Sequence, residues 1–346
     1  MTFTKESIFL SSIRSLCNAL GAILGVFVAL LLATFAISGL SNPEIVPEKS
    51  VMNIASDANG QRKMLPLTTP VVLKINIEGI IGLNKLTYEN IQNILFDSRE
   101  DLLGKNRVQA ILLYVNTPGG EATNSANIYQ ALVEYKKKYN IPIYAFVDGL
   151  CASGGMYICS AADKIYASPT SVIGSVGVRL GTNFNFTDLM SKVGVQSLTI
   201  TAGKDKDGLN PFRPWNPSEA DSLINITKEM YELFVDAVTS GRPNLSKEKL
   251  IEEYGAHVFL AKTAESLGYI DVAGANYFQT LQALTTASSI QEQDYQVIEL
   301  SRPESIFSQL AQNKFSLFSG KVEHTFLLEP SETAKLNGKF LYLYQP

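Results

Sequence analysis

Ser153 has the right company to act as a nucleophile. It lies in Asp148-Gly149-Leu150-Cys151-Ala152-Ser153-Gly154-Gly155-Met156-Tyr157, after an apolar run and before small and apolar residues. That pattern places it at a strand-to-helix turn, where the free N–H groups of a helix N-terminus favour developing negative charge. A capping serine satisfies the same geometry without chemistry. The stretch is not a Gly-x-Ser-x-Gly elbow, because position 151 is cysteine. A second stretch, Val115-Asn116-Thr117-Pro118-Gly119-Gly120, also follows a buried run. Its adjacent glycines allow backbone N–H groups to approach a developing oxyanion closely, although read alone the stretch is a turn. A third, Thr201-Ala202-Gly203-Lys204-Asp205-Lys206-Asp207-Gly208, reads alone as a solvated loop. A lysine there deprotonates a serine only if an apolar pocket holds it neutral. Lowering its pKa from about 10.4 to about 7 costs roughly 4.6 kcal/mol, so supporting hydroxyls are needed, and Gly174-Ser175-Val176-Gly177 offers one.

Composition removes the competing chemistries. Only two histidines occur, His257 and His324, and the three cysteines, Cys17, Cys151 and Cys159, form no metal-ligand pattern. Neither a metal nor an organic cofactor is implied, and His257 reads as a packed or surface residue, against a Ser-His-Asp arrangement. Cys151 and Cys159 would lie about 12 Å apart on a continuous helix, which predicts free buried thiols. The 346 residues carry a net charge of −4 and are 46% apolar, which excludes disorder and gives no clustered basic face for nucleic acid. Lys136-Lys137-Lys138 reads as a solvated helix end.

The elements that must position these residues are legible as alternating patterns. Branched apolar runs at 71–77, 108–115, 141–147 and 195–200 predict strands, with helical spacing at Ile128, Leu132, Val133 and Tyr135 between the middle two. Such alternation predicts an α/β fold with a mostly parallel sheet. Pro217–Thr239 repeats apolar residues at helical spacing and ends before Gly241. Shorter helices are predicted at 248–254, 263–267 and 277–284, a final strand after Gly268-Tyr269-Ile270-Asp271, another at 295–300, and a helix near 305–310. The aromatic terminus Phe340-Leu341-Tyr342-Leu343-Tyr344 has no readable role.

Ala19–Leu40 is a mostly apolar run of 22 residues, about 33 Å as a helix and enough to span a bilayer. A cleaved signal peptide is the alternative, on Ala36-Ile37-Ser38, but the run exceeds a usual apolar core. Lys5 and Arg14 precede it and Lys49 follows, which keeps the N-terminus cytoplasmic and the remainder outside. The expected organisation is a cytoplasmic segment 1–15, a transmembrane helix 16–40, a linker 41–68, a catalytic domain 69–287 and a C-terminal extension 288–346.

Taken together and in order, Asn116–Gly120, Ala152–Gly155, Gly174–Gly177 and Thr201–Lys206 resemble the signal peptide peptidase A family of membrane-bound serine proteases, including its single-domain SohB-type members. The likeness covers roughly 69–287. It implies a Clp protease/crotonase-like fold and a serine–lysine dyad, with Ser153 as nucleophile and Lys206, three residues after Gly203, as general base rather than Lys204. Ser175, 22 residues beyond Ser153, matches the hydroxyl that holds the lysine. Gly119, Gly120 and Gly154 match the glycines of the oxyanion hole, with Gly120 and Gly154 the preferred donors. The chain departs from the family pattern at Thr117, Met156 and Asp205, and a carboxylate at 205 facing the site would raise the lysine pKa. The resemblance further implies signal-peptide or other membrane-associated polypeptide substrates, an inner-membrane location and a homo-oligomer. A crotonase-like acyl-CoA enzyme, which predicts nucleotide binding and a catalytic carboxylate, and a membrane-anchored scaffold without activity are the competing classes.

Overall fold

Alternation of side chains across the pleat decides the layers. In the computed structural model, which describes residues 8–40, 50–301 and 339–344, strand β2 (Val71–Glu78) sends Val71, Leu73, Ile75 and Ile77 to one face and Val72 to the other. β3 (Val108–Thr117) divides in the same way, with Ile111, Leu113 and Val115 opposite Ala110 and Leu112. Helices cover both faces, as a parallel sheet requires.

The first compact unit, residues 1–49, contains helix α1 (Ile8–Leu40), whose stretch Ser11–Ala33 is long and apolar enough to cross a membrane. The second unit, Ser50–Pro346, begins with β1 (Val51–Ala55), followed by β2, α2 (Tyr88–Asp97) and β3. A three-residue strand β4 (Gly119–Glu121) leads into α3 (Ala122–Tyr139). Ile128, Leu132 and Tyr135 line the buried stripe of α3, which stops at Asn140 in the left-handed conformation. β5 (Ile143–Ala152) passes directly into α4 (Gly154–Cys159), followed by β6 (Lys164–Ala167), β7 (Val172–Gly174) and β8 (Arg179–Leu180). An excursion carries α5 (Thr187–Lys192), after which the chain returns through α6 (Asp221–Gly241). Then come α7 (Lys247–Lys249) with a π-helical turn at Leu250–Tyr254, β9 (Val258–Leu260), α8 (Ala261–Leu267) and β10 (Val272–Ala273). Last are α9 (Tyr277–Ala287), with a capping box between Asn276 and Gln279, β11 (Gln296–Ser301) and β12 (Phe340–Leu343).

The main sheet has the order β1-β11-β2-β3-β5-β6-β10, with β7 and β9 branching from β5. It is parallel except where β1 meets β11 and β7 meets β9. The architecture is α/β with a mostly parallel mixed sheet, as expected. β1 lies inside the expected linker, and β11 and β12 inside the expected extension, so the folded unit reaches beyond 69–287 on both sides. The helix expected near 305–310 falls outside the described residues.

One expected strand is absent. Residues 195–200 form no ladder, and Leu198 and Ile200 are 86% and 87% exposed. Branched residues favour a pleated, half-buried surface, but a strand also needs a partner, and this run lies in an excursion where no residue from 181 to 216 is buried. The helix expected from Pro217 starts at Asp221, because Glu219 is drawn away to Arg213 and to the amides of Leu209 and Asn216.

α6 crosses α4 where Gly241 meets Ser160, and a Cβ on Gly241 would stand 2.1 Å from the Ser160 carbonyl oxygen. Backbone cannot yield there as a side chain can, so Gly241→Ala should destabilise the full-length protein by about 1–3 kcal/mol, visible as a lowered thermal midpoint in detergent. An unchanged midpoint would show that the two helices are not locked at this crossing.

Candidate active site

The expected nucleophile sits at the end of the buried strand β5. Ser153 adopts φ 55° and ψ −117°, its N–H donates to the Gly174 carbonyl at 2.8 Å, and its own carbonyl accepts from Tyr157 N–H at 3.1 Å, which starts α4. Such a conformation is costly for a residue with a side chain. The next two residues must be glycine because α4 is pressed against its neighbours. A Cβ at 154 would lie 2.4 Å from Ser125 Oγ, and one at 155 would lie 2.6 Å from Thr117 Cγ2. Ser153 is 1% exposed, and its hydroxyl makes no hydrogen bond among the described residues. The same turn folds α4 back along β5, bringing Cys151 Sγ to 3.5 Å from Cys159 Sγ rather than the 12 Å of a continuous helix. Both thiols are free and buried; the sulfur–sulfur hydrogen bond and then burial raise the Cys151 pKa.

The glycine pair after β3 converges on this point. Thr117 Oγ1 donates to the Gly79 carbonyl and accepts from Gly119 N–H at 3.0 Å, so the Gly119 amide is engaged. A Cβ on Gly119, where φ is 93°, would stand 2.7 Å from Gly154 N. The two glycine motifs therefore share one small space. Ser175 is close by: β7 pairs with β5 so that Gly174 lies opposite Ala152, which places Ser153 and Ser175 at the ends of adjacent strands. Ser175 is buried, also at φ 55°, and its N–H donates to the His257 carbonyl. His257 itself is exposed, and its imidazole makes no hydrogen bond or ion pair among the described residues, while His324 lies outside them.

Lys206 is not in this cluster. It lies in the exposed turn after Gly203, and neither its ammonium nor that of Lys204 makes a hydrogen bond or ion pair among the described residues. The excursion has its own internal order: the Arg213 guanidinium binds Asp207 and Glu219, and that hydrogen-bonded pairing holds the Glu219 carboxyl down at about 2. Phe184, Phe186 and Phe212 stack beside it. Asp205, at φ 57°, faces solvent and not Ser153.

A residue with no expected role completes the site. β12 lies between β4 and β8 in a separate three-stranded sheet, antiparallel to both, with Tyr342 opposite Gly120 and Leu343 opposite Gly119. Tyr344 N–H donates to the Pro118 carbonyl at 2.8 Å, so by the alternation of an antiparallel ladder the Gly120 N–H points to the Tyr342 carbonyl. That oxygen is 2.0 Å from where a Gly119 Cβ would stand and 3.1 Å from a Cβ at 154. A peptide carbonyl thus occupies the space between the two glycine motifs, beside Ser153. No cluster of potential metal ligands occurs among the described residues.

The pattern of peptidase family S49 matches residues 135–289, and that of Clp protease matches residues 69–192. A protein named as a protease in Methanocaldococcus jannaschii is 32% identical over 220 residues, 63% of this chain and 68% of that protein. The chain belongs to peptidase family S49. It is a serine-type peptidase with a Clp protease-like α/β fold. A protein named signal peptide peptidase SppA in Enterococcus faecium is 30% identical, covering 59% of this chain and 60% of that protein. Protease 4 of Haemophilus influenzae is 30% identical, covering 58% of this chain and 32% of that longer protein.

Strain at Ser153 is testable apart from chemistry. Glycine and alanine variants at 153 both lack the hydroxyl, yet only glycine tolerates a positive φ freely. Ser153→Gly should be more stable than Ser153→Ala by about 1 kcal/mol in chemical denaturation, the reverse of the usual order. The usual order would mean that the turn is unstrained.

Proposed function

We propose that the protein is a single-pass, membrane-anchored serine endopeptidase in which Ser153 is the nucleophile and Lys206 the general base. Lys206 takes the hydroxyl proton as Ser153 Oγ attacks a peptide carbonyl, the N–H groups of Gly120 and Gly154 stabilise the oxyanion, the amine leaves with a proton, and water releases the acyl-enzyme. Ser175 holds the lysine. Gly119 shapes the hole without donating, since its N–H is bound to Thr117 Oγ1. The observation that carries this reading is the Tyr342 carbonyl set against Gly119 and Gly120 beside a strained, unpartnered serine.

For the dyad to act, Lys206 must leave water and reach a Ser153. Self-association accounts for this step: the excursion that carries Lys206 exposes Leu198 and Ile200 almost completely, and a neighbouring copy that covers them draws the lysine into an apolar setting. Remnant signal peptides and other membrane-associated polypeptides are the proposed substrates. The relative named signal peptide peptidase SppA supports this assignment, as does α1, which tethers the site to a bilayer. With Lys5 and Arg14 before the span, the proposed location of the peptidase unit is the outer side of the inner membrane.

Full-length protein in detergent should cleave an apolar fluorogenic peptide. Ser153→Ala and Lys206→Ala should each lower kcat by a factor on the order of 10³ or more, and Lys204→Ala should leave it within a few-fold. Equal losses at 204 and 206, or none at 206, would remove Lys206 from the mechanism.

A further inference from the structure

Two thiols that the peptidase chemistry leaves unused meet beside the turn at Ser153. Cys151 is the penultimate residue of β5, paired with Thr117 on one side and Ile173 on the other. Cys159 closes α4, and the turn between them brings the two sulfurs to 3.5 Å. Gly155 makes this approach possible. It lies four residues before Cys159, and so on the same face of α4. A Cβ at 155 would already touch Cys151 Sγ at 3.9 Å, so a larger side chain there would crowd the cysteine from the face on which it meets its partner. Both cysteines are 0% exposed and belong to the main core, in one apolar cluster with Met156, Ile158 and Ile173. The third cysteine, Cys17, is exposed on α1, in the other unit.

We propose that Cys151 and Cys159 are a dithiol that closes to a disulfide, and that the bridge fastens α4 to β5 around the nucleophile. The ring it closes contains Ser153, Gly154 and Gly155, the residues of the strained turn. Closure needs an oxidant, which a disulfide donor R–S–S–R supplies. One cysteine thiolate attacks a donor sulfur, the donor S–S bond breaks, and the first R–SH leaves with the proton that the cysteine gave up. The second cysteine then attacks the mixed disulfide and releases the second R–SH in the same way. Two cysteine thiols are oxidised and one donor disulfide is reduced to two thiols. Because both cysteines are covered in the folded unit, the first attack belongs to a state in which α4 has lifted from β5 or has not yet docked on it. The fold then favours closure. It holds the sulfurs at 3.5 Å, and an S–S bond of about 2.0 Å asks for a small closing movement. The unfolded chain must find the same meeting among many conformations, so the fold promotes the bridge and the bridge promotes the fold to the same degree. A peptidase unit on the outer side of the inner membrane faces an oxidising space, and this last step rests on the placement proposed from Lys5 and Arg14.

The test measures an equilibrium. Full-length Cys17→Ser protein in detergent, which leaves only the two buried thiols, is held with mixtures of reduced and oxidised glutathione a few degrees below its thermal midpoint, where opening is frequent. It is started once fully reduced and once fully oxidised until the two agree, and the titration is repeated in denaturant. Quenched samples are alkylated, and the bridge between 151 and 159 is counted by mass spectrometry. The equilibrium constant for bridging should be on the order of 10-fold to 100-fold larger in the folded protein than in the unfolded chain, and the bridged protein should melt several degrees above the reduced one. Cys159→Ala should show neither the bridge nor the shift. Equal or weaker bridging in the folded protein, a lower midpoint for the bridged form, or glutathione adducts in place of the bridge overturns the pair. Trapping thiols with a permeant alkylating agent in intact cells reads the placement separately. A bridged chain supports an external peptidase unit, whereas a reduced chain whose purified form favours the bridge upholds the pair and overturns the external placement.

Discussion

A strand can feed a helix within a single residue only if that residue accepts a backbone conformation that side chains disfavour, and only if the helix that follows can approach the sheet without Cβ atoms in the way. Ser153 meets the first condition and Gly154 with Gly155 the second. The rest of the site follows from this turn. It presses α4 onto Thr117, which in turn orients the Gly119 amide. It aligns Ser153 with Ser175 across the β5–β7 pair, folds Cys159 back onto Cys151, and points Tyr157 toward the cleft. Because the turn is buried in packed backbone and not held by solvent-facing side chains, its geometry is set by the core, and the strain at Ser153 is sustained by the surrounding sheet.

The cleft is a sheet position, between β4 and β8, that β12 fills. β4 and β8 are only three and two residues long, and neither pairs with the other; they become a sheet when a third strand lies between them. Strand addition suits a peptidase, since main-chain groups supply the grip and alternate side chains supply discrimination. Short, separated edges also limit unwanted pairing by unrelated chains. In the single chain that position belongs to β12, and Lys339 adds an ion pair to Glu121 at one end of it.

How much of this the sequence reveals depends on whether local patterns suffice. The strands at 71–77, 108–115 and 141–147 were legible because buried parallel strands are continuous apolar runs, and the turn at Ser153 was legible because only glycine fits the positions after it. The run at 195–200 misleads by the same rule: its residues favour a strand, but pairing partners are a property of the fold, and none stands beside it. Tyr342 could not be placed, because its partners at 120, 157 and 230 are more than a hundred residues away and nothing in an aromatic terminus names the surface that will receive it. Met230 and Phe234, which meet Tyr342, appeared only as members of an apolar helical face.

The separation of Lys206 from Ser153 has a physical logic of its own. A neutral lysine costs several kcal/mol to maintain, and a fold of limited stability cannot readily hold one dry on an excursion with no buried residue. On the proposed reading, the apolar wall around Lys206 comes from a surface that the excursion docks on. Ser153 lies in the core and Lys206 on a solvated arm. On the same proposed reading, assembly supplies the missing apolar wall, and proteolytic competence becomes a function of local protein concentration, which the proposed membrane anchor raises by confining the copies to two dimensions. The tail strand acts in the opposite direction, since it fills the cleft from within the same chain at a fixed effective concentration. On the proposed reading, the balance between the contact within the chain and the contact between copies sets when the site is open to a polypeptide.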